Sequence, residues 1–177
     1  MAEAAEGGAL LPEDLSDVVH HLESAWPREG CGVLLRAGPE GPWRCRPLRN
    51  VQDALHEEDP VRSPRSSRHA YAFDPREWLG VLLEAEARGE AVACVFHSHV
   101  DGPADFSPED RRQAAPDGQP LLPGVSYLVM AVHAGSVTNA SIFRWEGGGF
   151  SRRPPVFKEN LLRSRALVRL FSLPAER

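Results

Sequence analysis

The chain has 177 residues, 42% of them hydrophobic and 25% charged, with a formal net charge of −5. That length and balance suit one soluble globular domain with a real core, and the charge leaves no electrostatic footprint for nucleic acid. No apolar run approaches the length of a membrane span, the acidic start Met1 to Glu6 is unlike a secretory leader, and the odd set Cys31, Cys45 and Cys94 reads as reduced thiols in a cytoplasmic setting.

Residues 1–9 are small and polar and read as a disordered tail. A helix is expected over 12–25, with Pro12 in its first turn and Leu15, Val18, Val19, Leu22 and Trp26 on one face; Pro27 stops it. Strands are expected over 30–36 and 43–48, joined by the turn Ala37 to Pro42. Residues 51–70 show no periodicity and read as a long loop. Asp74-Pro75-Arg76-Glu77 combines a cap, a first-turn proline and a carboxylate, so a helix runs from there to about Arg88. It is expected to bury Trp78, Leu79, Leu82 and Leu83, and Gly89 closes it. The run Ala91 to Phe96 is short and apolar and reads as a buried strand. After a Pro/Gly-rich loop over 115–124, two strands are expected at 126–132 and 137–145 and an edge strand at 150–156. Residues 158–173 mix leucines and arginines as a helix that docks on the domain or meets a partner. This order predicts a mixed α/β domain over 10–157, a sheet with helices packed on it, followed by a C-terminal helix and tail over 158–177.

The stretch from 97 to 110, H-S-H-V-D-G-P-A-D-F-S-P-E-D, carries the chemistry. His97 and His99 sit at i and i+2 at the end of a strand, so both point to one face. Ser107-Pro108-Glu109-Asp110 looks like a helix start with Ser107 as N-cap, which returns Asp110 towards the strand end. Taken singly, a capping box or a polar strand end is ordinary structure. Together, two histidines and a carboxylate form a three-ligand set for Zn²⁺ that leaves a fourth position for water. Ser98 points to the opposite face and reads as structural. His20, His21, His56, His69 and His133 have no ligand-like partners in sequence.

The pattern His-x-His, seven residues, Ser-x-x-Asp resembles the signature of the JAMM zinc metalloproteases, the JAB/MPN family. Trp26-Pro27-Arg28-Glu29-Gly30-Cys31-Gly32 is similar to the family's Pro-x-Glu-x-Cys-Gly segment. The resemblance covers roughly residues 10–150 and is nearest to the compact stand-alone bacterial members. Val100 and Phe106 stand where many relatives have proline. The resemblance implies a curved, mainly antiparallel sheet flanked by helices, of the cytidine-deaminase-like architecture. It implies Zn²⁺ on His97, His99 and Asp110, Glu29 as general base, and Ser107 as donor to the developing oxyanion. The implied activity is hydrolysis of a peptide or isopeptide bond at the Gly-Gly tail of a ubiquitin-like or sulfur-carrier protein. Such chemistry deconjugates or trims a modifier, or releases cysteine from a carrier. The alternative is a non-catalytic scaffold of the same fold, whose known forms have lost ligands. A zinc deaminase would need a Cys-x-x-Cys pair, and none occurs. Cys31, two residues from Glu29, reads as a small buried hydrophobe rather than a nucleophile.

Overall fold

In the computed structural model, which describes residues 9–157 and Phe171, a six-stranded sheet runs in the order β3-β2-β4-β5-β6-β7. Its strands are β2 (Cys31–Arg36), β3 (Trp43–Leu48), β4 (Ala91–Val100), β5 (Ser126–His133), β6 (Ser136–Glu146) and β7 (Gly149–Arg153). All neighbours are antiparallel except β4 and β5, whose parallel pairing is reached through α4 (Pro108–Ala114). A parallel pair needs such a crossover, whereas β2–β3, β5–β6 and β6–β7 are hairpins of consecutive strands; β2 and β4 pair across a long connection. The fold is the mixed α/β sheet with flanking helices expected from the sequence.

Both faces of the sheet are covered. On one, α1 (Ser16–Ala25) places Val18 and Leu22 against Leu34, Cys94, Phe96, Met130 and Ile142. On the other, α3 (Pro75–Ala87) and α4 cover Val33, Val95, Val129, Phe106 and Phe143. Strands buried on both faces read as continuous apolar runs. All six residues of β2 are buried accordingly. Gly32 on β2 is a close-approach glycine: a Cβ there would run into the Phe96 ring and come within 2.6 Å of the Arg46 carbonyl.

Four expectations need correction. The first helix begins at Ser16, not Pro12, because Ala9–Leu11 instead form β1, which pairs in parallel with β8 (Pro155–Phe157) in a separate two-stranded sheet. Trp26, assigned to the buried helix face, is 40% exposed just beyond that helix. The supposed loop over 51–70 contains α2 (Gln52–Glu58), and the rest is pinned to that helix. Ser67 donates from its amide and hydroxyl to Asp53 at 2.7 and 2.6 Å, and Gln52 Nε2 donates to the Arg65 carbonyl at 2.8 Å. Only Gln52 of α2 is buried, so seven residues offered no apolar period to read. Finally, α3 starts at its Asp74 cap as expected, but its leucines face outward. Leu79 and Leu83 are each 57% exposed, whereas Val81 and Ala85 are buried. The smaller i, i+4 pair lets the helix lie close to the sheet. The expected N-terminal tail, apart from Ala9, lies outside the described residues. So does the C-terminal helix, apart from Phe171, which packs against the core under α1.

Candidate metal centre

His97 and His99 project from the same face of β4, where Val129 and Ala131 of β5 are their register partners. The apolar run Ala91 to Phe96 before them, with Val92, Val95 and Phe96, makes the strand; its depth in the sheet makes His97 wholly buried. Ser107 caps α4 and turns the chain back over that face. Its Oγ accepts from the Asp110 amide at 3.1 Å, and its own amide donates to Asp110 Oδ2 at 2.8 Å. The capping box thus fixes the Asp110 carboxylate, 7% exposed, above the histidines.

His97 Nε2 and His99 Nε2 are 3.2 Å apart; His97 Nε2 lies 3.3 Å from Asp110 Oδ1 and His99 Nε2 3.3 Å from Asp110 Oδ2. Ligands bonded to Zn²⁺ at about 2.0–2.1 Å in tetrahedral geometry lie roughly 3.3 Å from one another, so the imidazole pair matches one tetrahedral edge and the carboxylate faces both nitrogens. His99 Nδ1 lies 2.8 Å from the Pro103 carbonyl, which accepts only a proton-bearing nitrogen. That hydrogen bond assigns the proton to Nδ1 and leaves the Nε2 lone pair pointing at the cluster. Nitrogens of two imidazoles and the oxygens of a carboxylate therefore crowd around one point, an arrangement that a cation relieves. These are the residues able to hold a metal among those described.

The electrostatics agree. Burial lowers the proton affinity of His97 and keeps it neutral, as a ligand must be. Burial also works against protonation of His99, but Asp110, Glu29 and the Pro103 carbonyl outweigh it and raise its pKa. Against the cost of burial, His97, His99 and Ser107 hold Asp110 far below the usual carboxylate range. Glu29 is only 5% exposed, and burial pushes its carboxyl up to about 8, with His99, Asp110 and Arg65 close enough to modulate it.

The backbone around Glu29 is held on several sides. Its amide donates to the Ser67 carbonyl at 2.7 Å, and the Gly30 amide donates to Ser98 Oγ at 2.9 Å. Ser98, expected on the face opposite the histidines, ties the ligand strand to the Glu29 segment in this way. Cys31 is fully buried and its thiol is pushed well up by burial, so it is no nucleophile at neutral pH. His21, expected to have no role, bonds through Nε2 to the Cys31 carbonyl at 3.0 Å and supports the start of β2.

Residues 12–146 match the family of prokaryotic homologues of the JAB domain. The chain belongs to that family. Among solved structures this JAB-domain chain is similar to protein DSY2949 from Desulfitobacterium hafniense, at 26% identity and a TM-score of 0.61, covering 86% of this chain and 94% of that one. A protein from Salinibacter ruber is similar at 25% identity and a TM-score of 0.56, covering 86% and 92%. Among curated proteins, a probable TtuB-protein conjugate cleaving protease of Thermus thermophilus is 34% identical over 100 residues. Those residues are 56% of this chain and 58% of the relative, so the match spans little more than half of the relative's length.

Two features of the JAB-domain site had no signal in the sequence. Tyr71 stacks on His97 with ring centroids 4.5 Å apart and planes at 27°. The extended segment 70–74 that carries it is bonded on one side only: Val51 N donates to the Ala72 carbonyl and Asp74 N to the Arg49 carbonyl. The backbone groups of Tyr71 and Phe73 alternate to the other side, where no described residue bonds them. Beside that free edge lies a cavity of about 230 Å³ lined by Phe73, Trp78, Leu121, Leu122 and Tyr127. Both features depend on segments brought together from distant parts of the chain.

Proposed function

We propose that this chain is a zinc-dependent peptidase that hydrolyses an amide bond at the Gly-Gly tail of a ubiquitin-like or sulfur-carrier protein. The observation that carries the reading is the gathering of His97, His99 and Asp110 ligand atoms within 4.8 Å of one another, with the buried Glu29 carboxyl in their electrostatic reach. The name of the Thermus relative, a protease acting on TtuB conjugates, supports this substrate class.

In this reading His97, His99 and Asp110 hold the ion. Bound Zn²⁺ supplies Lewis acidity and makes water nucleophilic at neutral pH. Glu29 takes a proton from the attacking water on its carboxylate and hands it to the leaving amine; a pKa near operating pH suits both transfers. Ser107 Oγ accepts from the Asp110 amide, so its hydroxyl hydrogen stays free to donate to the oxyanion. One such donor contributes about 3 kcal/mol to barrier lowering. Cap and catalytic role are therefore compatible without any switch of partner. The tail of the substrate lies as an added strand along the free edge of Tyr71 and Phe73.

The test is incubation of the zinc-loaded protein with Gly-Gly-tailed carriers bearing a C-terminal amide adduct or conjugate, followed by intact-mass measurement. The expected products are the carrier with a free C-terminal carboxylate and the released amine. Unchanged masses across all carriers, with zinc bound, would leave the non-catalytic scaffold as the better reading.

A further inference from the structure

Asn50 lies between β3 and α2 and belongs to no motif in the sequence. Its side chain makes four hydrogen bonds. Nδ2 donates to the Glu29 carbonyl at 2.9 Å and to the Ala70 carbonyl at 3.1 Å. Oδ1 accepts from the Gln52 amide at 3.0 Å and the Ala72 amide at 3.1 Å. An amide side chain has two donor hydrogens and two acceptor lone pairs, so its whole capacity is used. The four backbone partners also fix which way round the amide sits, since a flipped group would set donor against donor.

These partners belong to three segments: the one carrying Glu29, the start of α2, and the extended stretch carrying Tyr71. Tyr71 in turn is stacked on His97. Among the described residues, Asn50 supplies the hydrogen bond to the Glu29 carbonyl, while Ser67 and Ser98 hold the amides on either side of it. We infer that Asn50 is a positioning residue, which sets the Glu29 carboxylate and the Tyr71 ring against the metal ligands. The inference rests on the reading of Glu29 as the base. Without Asn50 the buried Glu29 carbonyl loses its partner, and the peptide is free to turn about its remaining amide anchors. A displacement of about 1 Å in a reacting group costs on the order of 10²-fold in rate.

The test compares Asn50→Ala, Asn50→Asp, Glu29→Gln and the Asn50→Ala/Glu29→Gln double variant. In the zinc-loaded protein, Asn50→Ala should lower kcat about 10²-fold and leave KM for a conjugate within about threefold. Zinc stoichiometry and the visible spectrum of the cobalt-substituted protein should not change. Placed on Glu29→Gln, Asn50→Ala should cause no further loss, because both act through one carboxylate. A second readout needs neither metal nor activity. In metal-free protein, Asn50→Ala should speed hydrogen exchange at the Ala72 and Gly30 amides by roughly tenfold or more. Asn50→Asp keeps the acceptor oxygen, loses the two donated bonds and sets a carboxylate oxygen against the Glu29 and Ala70 carbonyls. It should loosen the Gly30 amide and spare that of Ala72, and it carries the test if Asn50→Ala fails to fold. Full kcat in a folded Asn50 variant, an additive loss in the double variant, or unchanged exchange at Gly30 would overturn the inference. Full activity of Glu29→Gln alone would remove the base reading and this inference with it, whereas a failed Asn50 arm leaves that reading intact.

Discussion

Glu29→Gln should stabilise the metal-free protein at alkaline pH and do nothing for it in acid. The carboxyl is 5% exposed, and burial moves its pKa from 4.5 to about 8. The folded chain thus prefers the protonated form, while the unfolded chain gives up its proton near 4.5. Stability that is fully present below pH 4.5 is lost as pH climbs towards 8 and stays lost above it. At about 1.4 kcal/mol per pH unit, the bound on that loss is near ~5 kcal/mol. Relaxation and water entry around a buried carboxylate reduce it to about 2–3 kcal/mol. Glutamine keeps the shape and removes the charge. At roughly 2–4 °C per kcal/mol for a chain of this size, the variant should melt about 4–12 °C above the wild type at pH 8.5. The two curves should meet near pH 4.5, below which the Glu29 carboxyl is protonated in folded and unfolded chain alike. Zinc should narrow the gap by stabilising the carboxylate. The assay is thermal unfolding by circular dichroism in chelator across that pH range. A melting difference independent of pH, or a wild type more stable at pH 8.5, would refute the account of Glu29 as a buried, charge-penalised acid.

Substituting His97 or Asp110 by Ala should abolish the single equivalent of zinc measured by plasma emission; a full equivalent retained in each variant would reject them as ligands. Gly32→Ala should lower stability by about 1–3 kcal/mol, because its methyl meets the Phe96 ring and the Arg46 carbonyl; denaturant unfolding measures it. On α3, Leu79→Gln should change stability by no more than about 0.5 kcal/mol, while Val81→Ala should cost about 2 kcal/mol. The reverse ranking in urea melts would contradict the orientation of that helix.

Local chemistry was enough for much of this protein. The apolar run of β5 and the turn that joins it to β6, the Asp74-Pro75 start of α3 and the Ser107 cap of α4 are each decided within a few residues. So is the pairing of His97 with His99, because strand geometry puts i and i+2 on one face whatever surrounds them. The capping box that returns Asp110 is equally local, which is why the clustering of His97, His99 and Asp110 was legible from spacing. What the spacing could not contain is the choice among equivalent faces. The leucines of α3 form the more apolar stripe, yet Val81 and Ala85 meet the sheet, since close approach of helix to sheet favours smaller side chains. Phe106 became an aromatic anchor stacked on Phe143 and edge-on to Phe150. Asn50, Ser67 and Tyr71 reach Glu29 and His97 only after α2 and the segment behind it fold back across the sheet. The Asn50 bonds reach backbone groups 20 to 22 residues away, Ser67 and Tyr71 reach further still, and contacts of that range belong to the assembled fold rather than to any window of sequence.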